Sequence, residues 1–255
     1  HKHITIKMPA SVPPAVSNSF AALFPGFFCL LLVWIVRLAI SFTPIETIPN
    51  LMQFIFKPIS AVGTSLPGAL LCEFLISFLW LFGVHGANVV SGIMMAFWLQ
   101  AMQQNAAAFA AHKALPHIVT QQFFDNFVHI GGAGATLGLA IMMIMFAKSD
   151  EYKTLAKLEI APAFFNINEP LIFGFPIVMN IYIALQFIIA PLANVLITYG
   201  AMATGLCAKT IGVMVPWTTP VVISGYLATG HISGAITQIV CLAVDALIYV
   251  GFFKK

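Results

Sequence analysis

The sequence predicts an all-α membrane protein: polytopic transmembrane helices with re-entrant hairpins and an interfacial amphipathic helix. Three observations carry that expectation. Of 255 residues, 60% are hydrophobic and only 7% charged, against roughly 25% charged in an ordinary soluble domain; the mean hydropathy is +0.98. Several apolar runs are long enough, at 1.5 Å per helical residue, to cross a hydrocarbon core of about 30 Å. Between them lie apolar stretches interrupted by proline and glycine, too broken to be ordinary spans.

The same composition excludes other classes. A formal net charge of +3 with scattered lysines lacks the clustered basic face that nucleic-acid binding needs. Cys29, Cys72, Cys207 and Cys241 sit singly in apolar sequence, so they read as small buried hydrophobes, not as a disulfide framework or zinc site. The opening HKHITIKMPASVPPAVSNSF has no basic stretch leading into an apolar core and cleavage site, and is not a signal peptide. Starting on His, the chain is expected to be processed or partial.

In chain order, residues 1–19 form a lead-in and Phe20–Phe42 the first span, with Arg37 near one end where it can snorkel. Asn50–Ala61 spaces Leu51, Phe54, Ile55 and Ile59 as an interfacial helix would. Leu66–Phe82 is the next apolar run and contains Glu73; after a Gly-Val-His-Gly break, Ala87–Gln100 continues as a helix ending in polar MQQNAAAFAAHK. His112, His117 and His129 fall in a polar connection, Gln103–Ile130, and are expected to be solvated or loop residues. Gly131–Ala147 is a further span, opened by GGAGATLG, whose glycines allow close helix approach. Ile177–Ala203 and Ile232–Phe253 complete the spans, and residues 20–255 together make one transport domain.

The broken stretches Ile160–Gly174 and Thr210–Gly230 are expected to be re-entrant hairpins lining a polar cavity, because irregular backbone is not tolerated against lipid. The hydrophilic loop KSDEYKTLAKLE and the terminal Lys254 and Lys255 are assigned to the cytoplasm, with an even number of spans between them.

Ionisable side chains at membrane depth are costly and therefore functional candidates. They are Glu73, His85, Glu169 and Asp245. Glu169 follows two amides in Asn166-Ile167-Asn168-Glu169-Pro170, where Pro170 is expected to end a helix; such donors and acceptors suit sugar hydroxyls. His85 lies among glycines in GVHGAN, which permit a ligand to approach the backbone, and its imidazole can take a hydroxyl proton. Trp217, in VPWTTP, offers a face for a pyranose or an interface anchor. A structural role weighs evenly against function for His85, while Glu73 and Asp245 are expected to pair with each other, a tyrosine or backbone. The irregular spacing of His112, His117 and His129 argues no metal site.

GVHGANVVSG, FFNINEPLIFGFPIVMN and VPWTTP, in that order, closely resemble the membrane-embedded IIC permease component of the phosphoenolpyruvate-dependent sugar phosphotransferase system, in its lactose, cellobiose and diacetylchitobiose branch. KMPASVPPAVSNSFAALFPG resembles the segment joining that family's two membrane halves. The resemblance implies a permease of the bacterial inner membrane that binds a disaccharide and presents its 6-hydroxyl to a separate phosphorylated IIB protein, itself supplied by IIA. It implies Glu169 and His85 near the reacting hydroxyl and Asn168 and Trp217 lining the pocket; Asn166, Asn88 and Gly132 complete the expected sugar-binding set. No metal and no cofactor are expected. Because an N-terminal scaffold half that supplies the family's homodimer contact is missing, the chain is expected to be the transport-domain portion. Two alternatives remain: a cation-coupled sugar transporter with Glu169 carrying the proton, and an intramembrane enzyme with His85 and Glu169 as acid and base, for which no metal cluster or activated nucleophile is evident.

Overall fold

The structure, a computed structural model, describes residues 9, 14–47, 50–51, 62–175 and 177–253. Most of the expected lead-in, the amphipathic segment beyond Leu51, and Lys254 and Lys255 lie outside the described residues. Among those described, all regular structure is helical, and the chain divides into two compact units, His1–Pro58 and Ile59–Lys255.

The first unit contains α1, Pro14–Ser41, whose 28 residues span about 42 Å. It begins upstream of the expected boundary between residues 19 and 20 and carries Pro25 in its interior. Cys29 is exposed on it, contrary to the expectation of a buried residue.

In the second unit, α2 (Leu66–Leu81) starts where Ser65 Oγ accepts the Gly68 N–H, and α3 (Gly86–Ala110) starts at His85. The short α4 (Gln121–Phe123), capped by Thr120, runs into a π-helical turn, Phe124–Val128. Next come α5 (Leu137–Phe146), α6 (Asp150–Phe164), α7 (Glu169–Gly174) and α8 (Ile181–Thr204). The last helices are α9 (Ile223–Thr229) and α10 (Ile232–Phe253). Helix α10 packs on α8, α5 and α9, while α8 also packs on α2 and on the π-helical turn.

Two helices, Ile181–Thr204 and Ile232–Gly251, are long and apolar enough to cross a membrane, with shorter apolar helices at Pro25–Ser41, Leu66–Leu81 and Leu137–Phe146. Their side chains are distributed inside out. Glu73, Ser77, Asn194, Thr198, Gln238 and Asp245 are buried, whereas Leu71, Phe74, Ile189, Leu196, Ile236 and Leu247 are exposed. Water would not reward that arrangement; lipid does, because association of spanning helices rests on packing and internal hydrogen bonds, not on burial of apolar surface.

Three expected elements differ. Gly131–Ala147 is not one span: Gly131, Gly132, Gly134 and Ala135 have positive φ, so only ten residues are helical, covering about 15 Å. The hydrophilic KSDEYKTLAKLE is not a loop; Ser149 caps it by accepting the Tyr152 N–H at 3.1 Å, and it becomes α6. The polar connection 103–130 is neither uniformly polar in surroundings nor irregular, since α3 extends to Ala110 and residues 121–124 and 126–128 are buried.

The two hairpins form as expected and show how non-helical backbone survives there. Helix α6 ends at Phe164, the chain breaks at 165–168, and α7 returns; Pro170 therefore opens a helix, where its missing N–H is harmless, and does not end one. In the second, residues 205–222 are irregular before α9. Buried amides stand in for backbone partners. Gln122 Oε1 accepts Val215 N–H at 3.0 Å, and Asn105 Nδ2 donates to Thr210 O at 2.9 Å. Gln238 Oε1 accepts from Val222 N and Gly225 N at 2.6 and 2.9 Å, while its Nε2 donates to Asn126 O at 2.6 Å. Each would be an orphan backbone group in lipid, costing several kcal/mol.

Candidate functional site

Within the second unit a cavity of about 640 Å³ opens between the α2–α3 junction, the π-helical turn, the glycine loop before α5, the break before α7 and the Trp217 loop. Its volume lies within the range of small-molecule sites. All seven residues expected from sequence, Glu169, His85, Asn168, Asn166, Asn88, Trp217 and Gly132, stand on its wall.

Their local chemistry differs from residue to residue. Asn166 sits at φ +61, a left-handed conformation that asparagine tolerates. Its Oδ1 accepts Gly131 N–H at 2.7 Å, and its Nδ2 donates to Trp217 O at 2.5 Å and Thr219 O at 3.4 Å. Asn168 Nδ2 donates to Ala133 O at 2.7 Å and Thr136 Oγ1 at 2.8 Å. Both amides have thus spent their donors on the protein, and only 8% and 4% of their surfaces remain exposed. They clamp three segments into one wall. Gly132, at φ +91, lies so close beneath Asn168 that a Cβ there would fall 2.5 Å from the amide carbon.

Glu169 occupies the first position of α7 and opens to the cavity. His85 is likewise exposed to it, with its ring tilted over Trp80 at 4.5 Å between centroids. Nδ1 of His85 accepts the Asn88 N–H at 3.2 Å, so the neutral ring carries its hydrogen on Nε2. In that tautomer the ring offers an N–H donor. The glycine beside it serves packing, because a Cβ on Gly86 would come 2.0 Å from Ile76 O in α2. Trp217 is 53% exposed, and its carbonyl is the one held by Asn166.

Sequence reasoning missed Gln121, Asp125 and His129, which also line the cavity. Gln121 Nε2 donates to Asp125 Oδ1 at 2.7 Å. His129, expected to be a solvated or loop residue, is in the loop but not given over to solvent: its Nε2 faces Glu73 Oε2 at 2.7 Å, while Ser77 Oγ donates to Glu73 Oε1 at 3.0 Å. Glu73 therefore does not pair with Asp245, which accepts from Asn194 Nδ2 at 3.0 Å. The available signal was Glu73 itself: a carboxylate inside an apolar helix needs a donor, and His129 was free to supply one. His112 and His117 do not line the cavity. No group of three metal-ligating side chains occurs among the described residues.

Comparison with known proteins bears on this arrangement. The family model described as "Phosphotransferase system, EIIC" matches residues 1–191. The Lichenan permease IIC component of Bacillus subtilis (strain 168) is 50% identical over 255 residues, covering 99% of this chain and 56% of that protein. The PTS system cellobiose-specific EIIC component of Geobacillus stearothermophilus is 50% identical over 257 residues, covering 99% and 57%. The crystal structure of the transporter ChbC, the IIC component from the N,N'-diacetylchitobiose-specific phosphotransferase system, superposes with a TM-score of 0.88 at 46% identity, covering 98% of this chain and 59% of that one. The chain spans little more than half the length of these relatives.

Proposed function

Because the chain belongs to the phosphotransferase system EIIC family, whose members are membrane-embedded transporter subunits, we propose that it is the sugar-binding transport portion of a IIC permease for a β-linked disaccharide such as cellobiose, diacetylchitobiose or lactose. It works in the bacterial inner membrane as a multi-pass protein, and residues 20–255 form its transport domain. A phosphorylated IIB protein, charged through IIA, is the phosphoryl donor, so the chain itself is not the phosphotransferase. With the N-terminal half of the longer relatives present, the assembly is a homodimer in lipid.

The observation that carries this reading is a single cavity wall bearing an open carboxylate, a ring N–H donor and an exposed indole face. Trp217 stacks on the apolar face of a pyranose. Glu169 orients and deprotonates the 6-hydroxyl, His85 donates to a sugar oxygen, and the clamped Asn166, Asn168 and Gly132 set the wall's shape, with Asn88 beside His85. Once the hydroxyl is held in line with the donor, phosphoryl transfer needs little beyond position and charge.

Equilibrium binding of radiolabelled cellobiose and diacetylchitobiose to the purified chain in detergent tests the reading. Saturable binding of either sugar, displaced by the unlabelled form, supports it. Transport that persists without IIB but collapses with an uncoupler would replace it with the cation-coupled alternative.

A further inference from the structure

Behind the Glu169 wall is a second carboxylate that the proposed reaction does not use. Glu159, on α6, is fully buried, and neither of its oxygens meets a hydrogen-bond partner. The α6–α7 hairpin brings it to Glu169. Leu155 packs on Gly174, where a Cβ would stand 2.8 Å from Leu155 Cδ1, and Glu159 is four residues on, hence on the same face of α6. Since α7 returns antiparallel, the turn opposite Glu159 is its start, Glu169–Leu171.

Among the described residues of the elements packed around it, no cation offsets this pair. Helix α5, also packed against α6, carries no titratable residue; α7 carries only Glu169, and of the charged residues of α6 itself Asp150, Glu151 and Lys153 lie toward its start while Lys157, two residues before Glu159, is exposed. Helix α6 is not one of the spanning segments. Burial first, and then the charge of Glu169, push the Glu159 carboxyl up to about 7.

We propose that Glu159 is a positioning residue that keeps its own proton while Glu169 is charged and gives it up when Glu169 takes the proton of the sugar hydroxyl. This rests on the function proposed above. In the transfer the sugar O–H breaks, its oxygen forms the new O–P bond, and the phosphoryl group leaves the phosphorylated protein donor with the bonding pair remaining there. The hydroxyl proton bonds to Glu169 and removes its negative charge. Glu159 then loses the repulsion that, second to its burial, favoured its own proton, and that proton goes to water, so the pair carries one proton before and after.

The test compares the unmodified chain with Glu159→Gln and Glu159→Asp. Infrared titration from about pH 5 to about pH 9 is expected to show a protonated-carboxyl band that fades through neutrality in the unmodified chain and is missing in E159Q. Cellobiose binding is expected to stay within about twofold, while phosphorylation in E159Q falls on the order of tenfold and loses its pH dependence near neutrality; E159D restores that dependence. A band unaltered in E159Q, or an E159Q rate profile that superimposes on the unmodified one, overturns the proposal. If E159Q does not fold, an E159D profile whose midpoint does not move does the same. Sugar binding with no such band defeats this inference alone, whereas the band without sugar binding defeats the function on which it rests.

Discussion

Nε2 of His129 lies 2.7 Å from Oε2 of Glu73, within hydrogen-bond distance, joining the end of the π-helical turn to the middle of α2. The carboxylate is fully buried and its other oxygen accepts from Ser77, so the ring's orientation at the cavity wall is dictated from behind.

Removing that carboxylate leaves a buried ring N–H and a hydroxyl without their acceptor. Glu73→Ala is expected to lower stability by about 3–5 kcal/mol, and Glu73→Gln, which keeps an acceptor, by about 1–2 kcal/mol. Thermal unfolding of the two variants in one detergent checks this ordering; equal melting temperatures would mean the pair carries no weight.

Glu169→Gln retains the shape of the carboxylate but not its charge. Sugar affinity is expected to fall less than tenfold while phosphorylation falls on the order of 100-fold or more. Binding and single-turnover phosphorylation, measured side by side, decide the matter; equal losses would make Glu169 chiefly a binding group.

Trp217 contributes its ring to the cavity and its carbonyl to Asn166, and alanine keeps the carbonyl. Trp217→Ala should therefore melt like the unmodified chain yet bind cellobiose more weakly by about 1 kcal/mol. Unchanged affinity by titration calorimetry would make the ring an interface anchor.

For Gly132→Ala, a new Cβ meets the Asn168 amide at 2.5 Å in a left-handed backbone. A stability loss of about 1–3 kcal/mol is expected, and a second substitution, Asn168→Ala, should relieve the clash without recovering sugar affinity. A single-variant melting temperature equal to the parent's would refute the close packing.

Stability should also depend on pH through Glu159. Its folded carboxyl is raised from the ordinary 4.5 to about 7 by burial and then by Glu169. The folded state thus binds the proton more tightly, and stability is highest below about 4.5, declines as pH rises toward 7, and then levels. Melting temperatures recorded across that window should lose this slope in Glu159→Gln.

Much of this was legible in the sequence, for definable reasons. Ile232–Phe253 was placed at both ends because a mostly apolar, proline-free run lies between Gly230 and the terminal lysines. The hairpins were legible because Pro and Gly recurring in apolar sequence break the helix that lipid would demand, so the backbone there has to be sheltered by protein. Gly131–Ala147 was misjudged because hydropathy cannot register positive φ, and α6 because its charges mask a capped helix. At the site, the seven expected residues share one cavity since their motifs sit at the breaks. His129 was missed because its partner is 56 residues away, and a long-range pair leaves no local pattern.

Gln238 also bears on how the protein is made. It lies on the last helix, yet it satisfies Asn126, 112 residues earlier, as well as the start of α9. Until α10 is made, the Asn126 carbonyl and the N–H groups of Val222 and Gly225 lack that amide. Docking of α10 and ordering of the start of α9 are therefore one coupled event in folding, because the same side chain serves both.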